Sequence, residues 1–165
     1  MLRPDHFADR LSSVSLDDLA ADGITGIIVD LDNTLVGYGR ETLEDGDAAW
    51  ILAAKARHFK LCLVSNNFNG RVNRIGRELG LPAVPSALKP LPGGFLRALR
   101  LLDTPKAKTV VVGDQLFTDV LGARFAGLRC ILTSPIVPAD WLGTRVLRQL
   151  ERLVLGRRRS ETRRP

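Results

Sequence analysis

Five short apolar runs recur along this chain, each closed by polar residues and parted from the next by a segment of helical period. They are Ile24–Asp30, Leu61–Val64, Ala83–Val84, Thr109–Val112 and Arg129–Leu132. Runs this short and this continuous suit strands buried on both faces, and the intervening helices supply the crossovers that parallel strands need. The pattern predicts an α/β fold with a doubly wound parallel five-stranded sheet. Helix signals fall between the runs. Ser15 stands as an N-cap before Leu16 and Gly23 as a stop. Asp45 to His58 sets Ala48, Leu52, Ala56 and Phe59 on one expected face. Asn69 opens a helix running to Gly80, and Pro92 a helix presenting Phe95, Leu96, Leu99 and Leu102. Thr118 to Ala126 is closed by Gly127, and a last helix is expected from about Ala139 to Leu155.

The polar residues that close the runs carry the chemistry. Asp30-Leu31-Asp32-Asn33-Thr34, Ser65-Asn66-Asn67 and Gly113-Asp114 each follow a strand, and open parallel sheets bind ligands at the carboxyl ends of their strands. Asp30, Asp32, Asp114 and Asp119 therefore converge on one crevice, where like charges require a cation or a proton. Hard oxygen ligands beside a phosphate favour Mg²⁺. Thr34, Ser65 and Asn66 offer short donors for phosphate oxygens, and Lys89 offers a positive charge.

These residues resemble the four motifs of the haloacid dehalogenase superfamily phosphatases, in order: Asp30 to Leu35, Ser65, Lys89, and Gly113-Asp114-Gln115-Leu116-Phe117-Thr118-Asp119. Within that superfamily the chain is similar to the small capless YqeG branch, of subclass IIIA, over roughly Ile24 to Ile136. Asn33 stands where many members have Gly. The resemblance implies a Mg²⁺-dependent phosphatase. Asp30 would be the nucleophile that forms an aspartyl phosphate, and Asp32 the acid and then the base. The metal would take the Asp30 side chain, the Asp32 backbone carbonyl and Asp114, with Asp119 holding its outer waters or Lys89. Ser65 and Lys89 would bind phosphoryl oxygens.

Asp119 beside Thr118 can be a plain helix cap. Arg71, Arg74 and Arg77 on one helix read as a solvated face. A phospho-accepting, receiver-like signalling domain uses similar residues, but its acceptor follows the third strand, and here Val84-Pro85-Ser86 offers no Asp. A scaffold keeping a dead phosphatase site is disfavoured because no motif residue is missing.

The intervals between motifs bear on the substrate. Thirty residues separate Thr34 from Ser65 and 23 separate Ser65 from Lys89, too few for a folded insert beyond the expected helices. The site is expected to be open, admitting phosphates on large bodies.

Charge is unevenly placed. Residues 1–144 hold 16 Lys+Arg against 16 Asp+Glu, whereas Arg145–Pro165 hold eight arginines against two glutamates, which is the whole net +6. The reading is a single domain at 1–155 with a basic, disordered tail at 156–165. A basic amphipathic segment can lie on an anionic membrane. Relatives of the branch act as phosphatidylglycerophosphate phosphatases, so the resemblance makes that lipid the leading substrate. No nucleic-acid partner is expected. The N-terminus does not read as a signal peptide, and no window of about 18 apolar residues spans a membrane. Cys62 and Cys130 read as buried reduced thiols. A cytoplasmic protein, peripheral on the inner face of the membrane, is the expectation.

Overall fold

The computed structural model describes residues 2–37, 40, 42–68 and 70–137. Its strands are β1 His6–Ala8, β2 Gly26–Asp30, β3 Lys60–Val64, β4 Ala83–Val84, β5 Thr109–Gly113 and β6 Arg129–Thr133. All pair in parallel in the order β1-β6-β5-β2-β3-β4. The five expected strands are present, and β1 adds a sixth. His6 and Phe7 are exposed, so β1 has no apolar period to betray it. Backbone pairing holds it instead, together with Asp5, whose carboxylate accepts from the Cys130 N–H at 2.8 Å.

Side chains of the central strand β2 alternate between two cores, as pleating requires. Ile27 and Val29 join one cluster with Trp50, Ile51, Val72 and Ile75. Ile28 joins the other with Phe95, Leu99, Val120 and Ala123. The helices supplying these side chains are α2 Asp45–Ala56 and α3 Arg71–Leu79 for the first face, and α4 Gly93–Leu102 and α5 Leu121–Ala126 for the second, with Val120 from the turn just before α5. A short helix α1, Leu16–Ala21, begins as expected, with the Asp18 N–H donating to Ser15 Oγ at 3.1 Å.

Two local expectations are corrected. The buried face of α2 is Asp47, Trp50, Ile51 and Ala54, while Leu52 is 64% exposed. Asp47 turns inward because Arg10 and the Ser12 N–H satisfy its two oxygens, and Trp50 Nε1 donates to the Val14 carbonyl at 2.8 Å. The buried stripe thus combines one polar residue with Trp50, Ile51 and Ala54. The stretch before α5 winds as a π-helical turn, Leu116–Val120, rather than starting α-helical at Thr118. Gly70 with φ 67° precedes α3, and Asn69 lies outside the described residues. So do the helix expected over Ala139 to Leu155 and the tail.

Parallel register sets the site. Asp30 lies opposite Val64, and Val29 opposite Val112, so the segments after β2, β3 and β5 leave the sheet at one level. Between Thr34 and Ser65 the described residues contain only α2 and β3, and between Ser65 and Lys89 only α3 and β4, so no cap stands in either interval. No helix among the described residues is long and apolar enough to cross a membrane. Cys62 and Cys130 are free and buried, and burial pushes the Cys62 thiol up to about 12.

Candidate active site

The turn after β2 places the first motif. Asn33 takes φ 70°, the left-handed region that glycine and asparagine tolerate best, which accounts for glycine in many relatives at this position. Asn33 is fully buried, and its amide exchanges bonds with the backbone of Val137 at 2.9 and 3.1 Å. Locking this turn leaves Asp30 and Asp32 facing different surroundings.

Asp30 is buried and pairs with Lys89. Lys89 also reaches Asp119 Oδ1 at 2.6 Å, and its side chain is almost wholly buried. The loop that delivers it holds Ser86 and Leu88 at φ 51° and 57°, a conformation that costs roughly 1–2 kcal/mol for a side-chain-bearing residue. Asn66 braces this loop: it accepts from the Lys89 N–H at 2.7 Å and donates to the Lys89 carbonyl at 3.1 Å. Both ends of the Asn66 amide bond the Lys89 backbone, and one Nδ2–H remains beyond the bond to the Lys89 carbonyl.

Gly113 lets the last motif fold back on the sheet. A Cβ there would sit 2.4–2.6 Å from the Asp119 carboxylate group, so only glycine admits the approach. Asp119 Oδ2 accepts from the Gln115 N–H at 3.1 Å, reaching back from inside the π-helical turn, while its other oxygen holds Lys89. Gln115, not Asp119, stands at the N-cap position of that turn. Thr34 Oγ1 lies 3.4 Å from Asp114 Oδ1.

One oxygen each from Asp30, Asp114 and Asp119 falls within 4.8 Å of the others. Burial drives the Asp30 carboxyl well above its ordinary value. Lys89 opposes that rise, and Asp119, Asp114 and Asp32 add to it. For Asp114, burial first and Asp119 second raise the carboxyl to about 7. Burial acts to lower the pKa of the Lys89 ammonium, but Asp119 and Asp30 outweigh it and hold the ammonium charged. Three carboxylates face one ammonium, so the cluster carries surplus negative charge that a proton or a cation must offset. A set of hard oxygen donors with surplus charge fits a divalent cation such as Mg²⁺.

Asp32 belongs to a second group. Its Oδ2 accepts from Ser65 Oγ and Asn67 Nδ2, both at 2.7 Å, and its Oδ1 from Arg71 Nη1 at 2.6 Å. Its side chain is therefore outside the triad of clustered carboxylates. Ser65 is fully buried and also accepts from the Asn67 N–H at 3.0 Å. Arg71 corrects the sequence reading of a solvated arginine face. Its side chain is only 12% exposed, and it bridges Asp32 to the Arg40 carbonyl. Arg71 and Asn67 are the site residues that motif reasoning missed. The available signal was position: Arg71 opens α3 just beyond β3, within a long side chain's reach of the strand ends.

A profile of the haloacid dehalogenase-like hydrolases matches residues 7–127. The chain is 38% identical over 153 residues to the probable phosphatase YqeG of Bacillus subtilis, covering 93% of this chain and 89% of that protein. Among solved structures it is similar to a putative 3-deoxy-D-manno-octulosonate 8-phosphate phosphatase from Vibrio cholerae, with TM-score 0.57, 17% identity, and 80% and 77% of the two chains covered. It is similar also to a putative subfamily IIIA hydrolase of the superfamily from Legionella pneumophila, with TM-score 0.56, 16% identity, and 74% and 72% covered. At such identities the structures speak for the fold, while the profile and the Bacillus relative speak for descent. The chain belongs to the haloacid dehalogenase-like hydrolases, as a phosphatase of their YqeG-like branch.

Proposed function

We propose that the chain hydrolyses phosphomonoesters in two steps through Asp30, with Mg²⁺ as cofactor and phosphatidylglycerophosphate as leading substrate. The observation that carries the mechanism is the buried Asp30 carboxylate, held beside Lys89 at the level where three strands end. In the first step an Asp30 oxygen forms a bond to phosphorus as the bond to the leaving oxygen breaks, and Asp32 gives that oxygen a proton. In the second, Asp32 takes a proton from water, the water oxygen bonds to phosphorus, and the Asp30–phosphorus bond breaks to release phosphate. Lys89 and Ser65 steady the phosphoryl oxygens, with Thr34 at the Asp114 side. Asp30, Asp114 and the Asp32 backbone carbonyl would hold the cation, and Asp119 would anchor Lys89. When bound, the cation offsets charge on the transferred group.

Three features support a lipid substrate. No cap stands over the site among the described residues. Phe68, Leu88, Leu91 and Phe117 are exposed on the segments that follow β3, β4 and β5, beside Asn67, Lys89 and the last motif. The sequence places its net +6 in residues 145–165. An apolar rim round a site for anionic headgroups suits a bilayer surface.

A panel of phosphate esters, including phosphatidylglycerophosphate in mixed micelles, tests both parts. Activity should require Mg²⁺, vanish with a chelator and be inhibited by Ca²⁺, which prefers more and longer oxygen contacts. The lipid should lead the panel in kcat/KM. Full activity after exhaustive chelation would refute the cofactor, and a soluble ester far ahead of the lipid would refute the substrate.

A further inference from the structure

Arg71 does more than an exposed ion pair would. Its guanidinium is shared between the Asp32 carboxylate and the Arg40 carbonyl, tying the start of α3 to the segment that follows β2. Its Nε–H is buried and has no hydrogen-bond partner among the described residues. A buried donor left unpaired destabilises the fold. An ion pair held mostly out of water returns little once the cost of desolvating both charges is counted. Stability alone is a poor reason to hold an arginine this way.

The bonds on Asp32 indicate a better one. Each carboxylate oxygen has two lone pairs. Ser65 and Asn67 engage both on Oδ2, whereas Arg71 is the hydrogen-bond partner of Oδ1 among the described residues, so Oδ1 keeps a lone pair for a transferable proton. Arg71 contacts that oxygen directly. As the proton leaves for the departing oxygen, negative charge appears on Asp32 beside the guanidinium, which stabilises it. When water is deprotonated the charge on Asp32 disappears, and Arg71 gives no such help.

We propose that Arg71 is a positioning residue for general-acid catalysis, aiming Oδ1 of Asp32 at the leaving group and stabilising the carboxylate formed as it is protonated. This rests on the assignment of Asp32 as the acid. Because Arg71 acts through Asp32, its contribution should scale with the leaving group's need for a proton. Nitrophenolate departs without one, whereas an alkoxide does not.

The test compares kcat/KM for 4-nitrophenyl phosphate and glycerol 3-phosphate, since kcat/KM reports the steps through departure of the alcohol. Wild type, Arg71→Met, Arg71→Lys, Asp32→Asn and the Asp32→Asn/Arg71→Met double variant are compared. Removing a general acid costs about 10²–10⁴ where a proton is needed. Arg71→Met should therefore lose roughly tenfold or more beyond its nitrophenyl loss when the alkyl ester is used. Arg71→Lys should recover part of that difference, and the double variant should be no slower than Asp32→Asn alone. Retained nitrophenyl activity reports a folded enzyme in the same samples. If Arg71→Met does not fold, Arg71→Lys carries the test, with a smaller alkyl-selective loss. Equal losses on both esters, or losses that multiply in the double variant, would overturn the role of Arg71 while an alkyl-selective loss in Asp32→Asn left the acid standing. Equal losses in Asp32→Asn itself would remove the acid, and the inference with it.

Discussion

Two aspartates two residues apart live in opposite surroundings. Asp30 lies in a buried group with Lys89, Asp114 and Asp119, where negative charge exceeds positive. Asp32, 16% exposed at its side chain, lies in a group where Ser65, Asn67 and Arg71 supply one donor after another. The first group is short of positive charge and the second is not. That difference suits a division of labour: the crowded carboxylates attract a cation and attack phosphorus, while the one held by hydrogen-bond donors exchanges protons. The turn locked by Asn33 sends neighbouring side chains into such different company.

Breaking the buried group should have the larger effects. Asp30→Asn removes the nucleophile and almost no volume, so turnover should fall by at least a thousandfold, about 4 kcal/mol of transition-state stabilisation, with the far-ultraviolet circular dichroism unchanged. Asp32→Asn should slow both half-reactions but leave measurable turnover. Steady-state rates on a soluble ester check both, and more than a tenth of wild-type rate from Asp30→Asn would contradict the division.

Lys89→Met comes next and acts on the fold as well as the rate. It leaves Asp30 and Asp119 buried without their ammonium, and breaking one side of a buried pair costs about 3–5 kcal/mol. Denaturant unfolding at neutral pH should show that loss, and lowering the pH should restore part of it as the carboxylates take up protons. Arg71→Met should cost less than Lys89→Met in the same assay, because Ser65 and Asn67 still hold the Asp32 carboxylate.

These contrasts bear on what the residues alone could tell. The sheet was legible because each inner strand is an unbroken apolar run, and the motif carboxylates because they close those runs. β1 was not, since three residues paired through the backbone leave no periodic trace. The phase of α2 was misjudged because the stripe of Ala48, Leu52 and Ala56 leaves out Trp50, Ile51 and Ala54, whose face also carries Asp47, buried by Arg10. Arg71 escaped notice for a related reason. A long cationic side chain gives no sign in sequence of whether it points to solvent or folds back on a carboxylate. Polar residues buried by partners distant in sequence are the common thread.

The pH dependence of stability sharpens the electrostatic contrast. Asp114 is raised from 3.8 to about 7 in the fold, so between those values the folded state binds more protons than the unfolded one. Stability from this group is full below about pH 4 and drains as pH rises towards 7, with Asp30 acting in the same direction. In metal-stripped protein, thermal unfolding followed across that window should show a falling Tm once other titrations are matched by an Asp114→Asn control. Mg²⁺ should raise Tm more at pH 7 than at pH 5, because the cation competes with the proton for the same oxygens. A Mg²⁺ effect independent of pH would place the cation elsewhere.

Covalent transfer to Asp30 is the centre of the account, and trapping the enzyme during turnover tests it most directly. Asp32→Asn protein, slowed in the hydrolytic step, is mixed with 4-nitrophenyl phosphate and Mg²⁺, quenched in acid within the first turnover and digested for mass spectrometry. A covalent route through Asp30 gives a burst of nitrophenolate matched by one phosphoryl group, labile to hydroxylamine, on the peptide carrying Asp30. Turnover without a burst and with no phosphoryl group on that peptide, while phosphate still accumulates, would mean that water attacks the substrate directly and would contradict it.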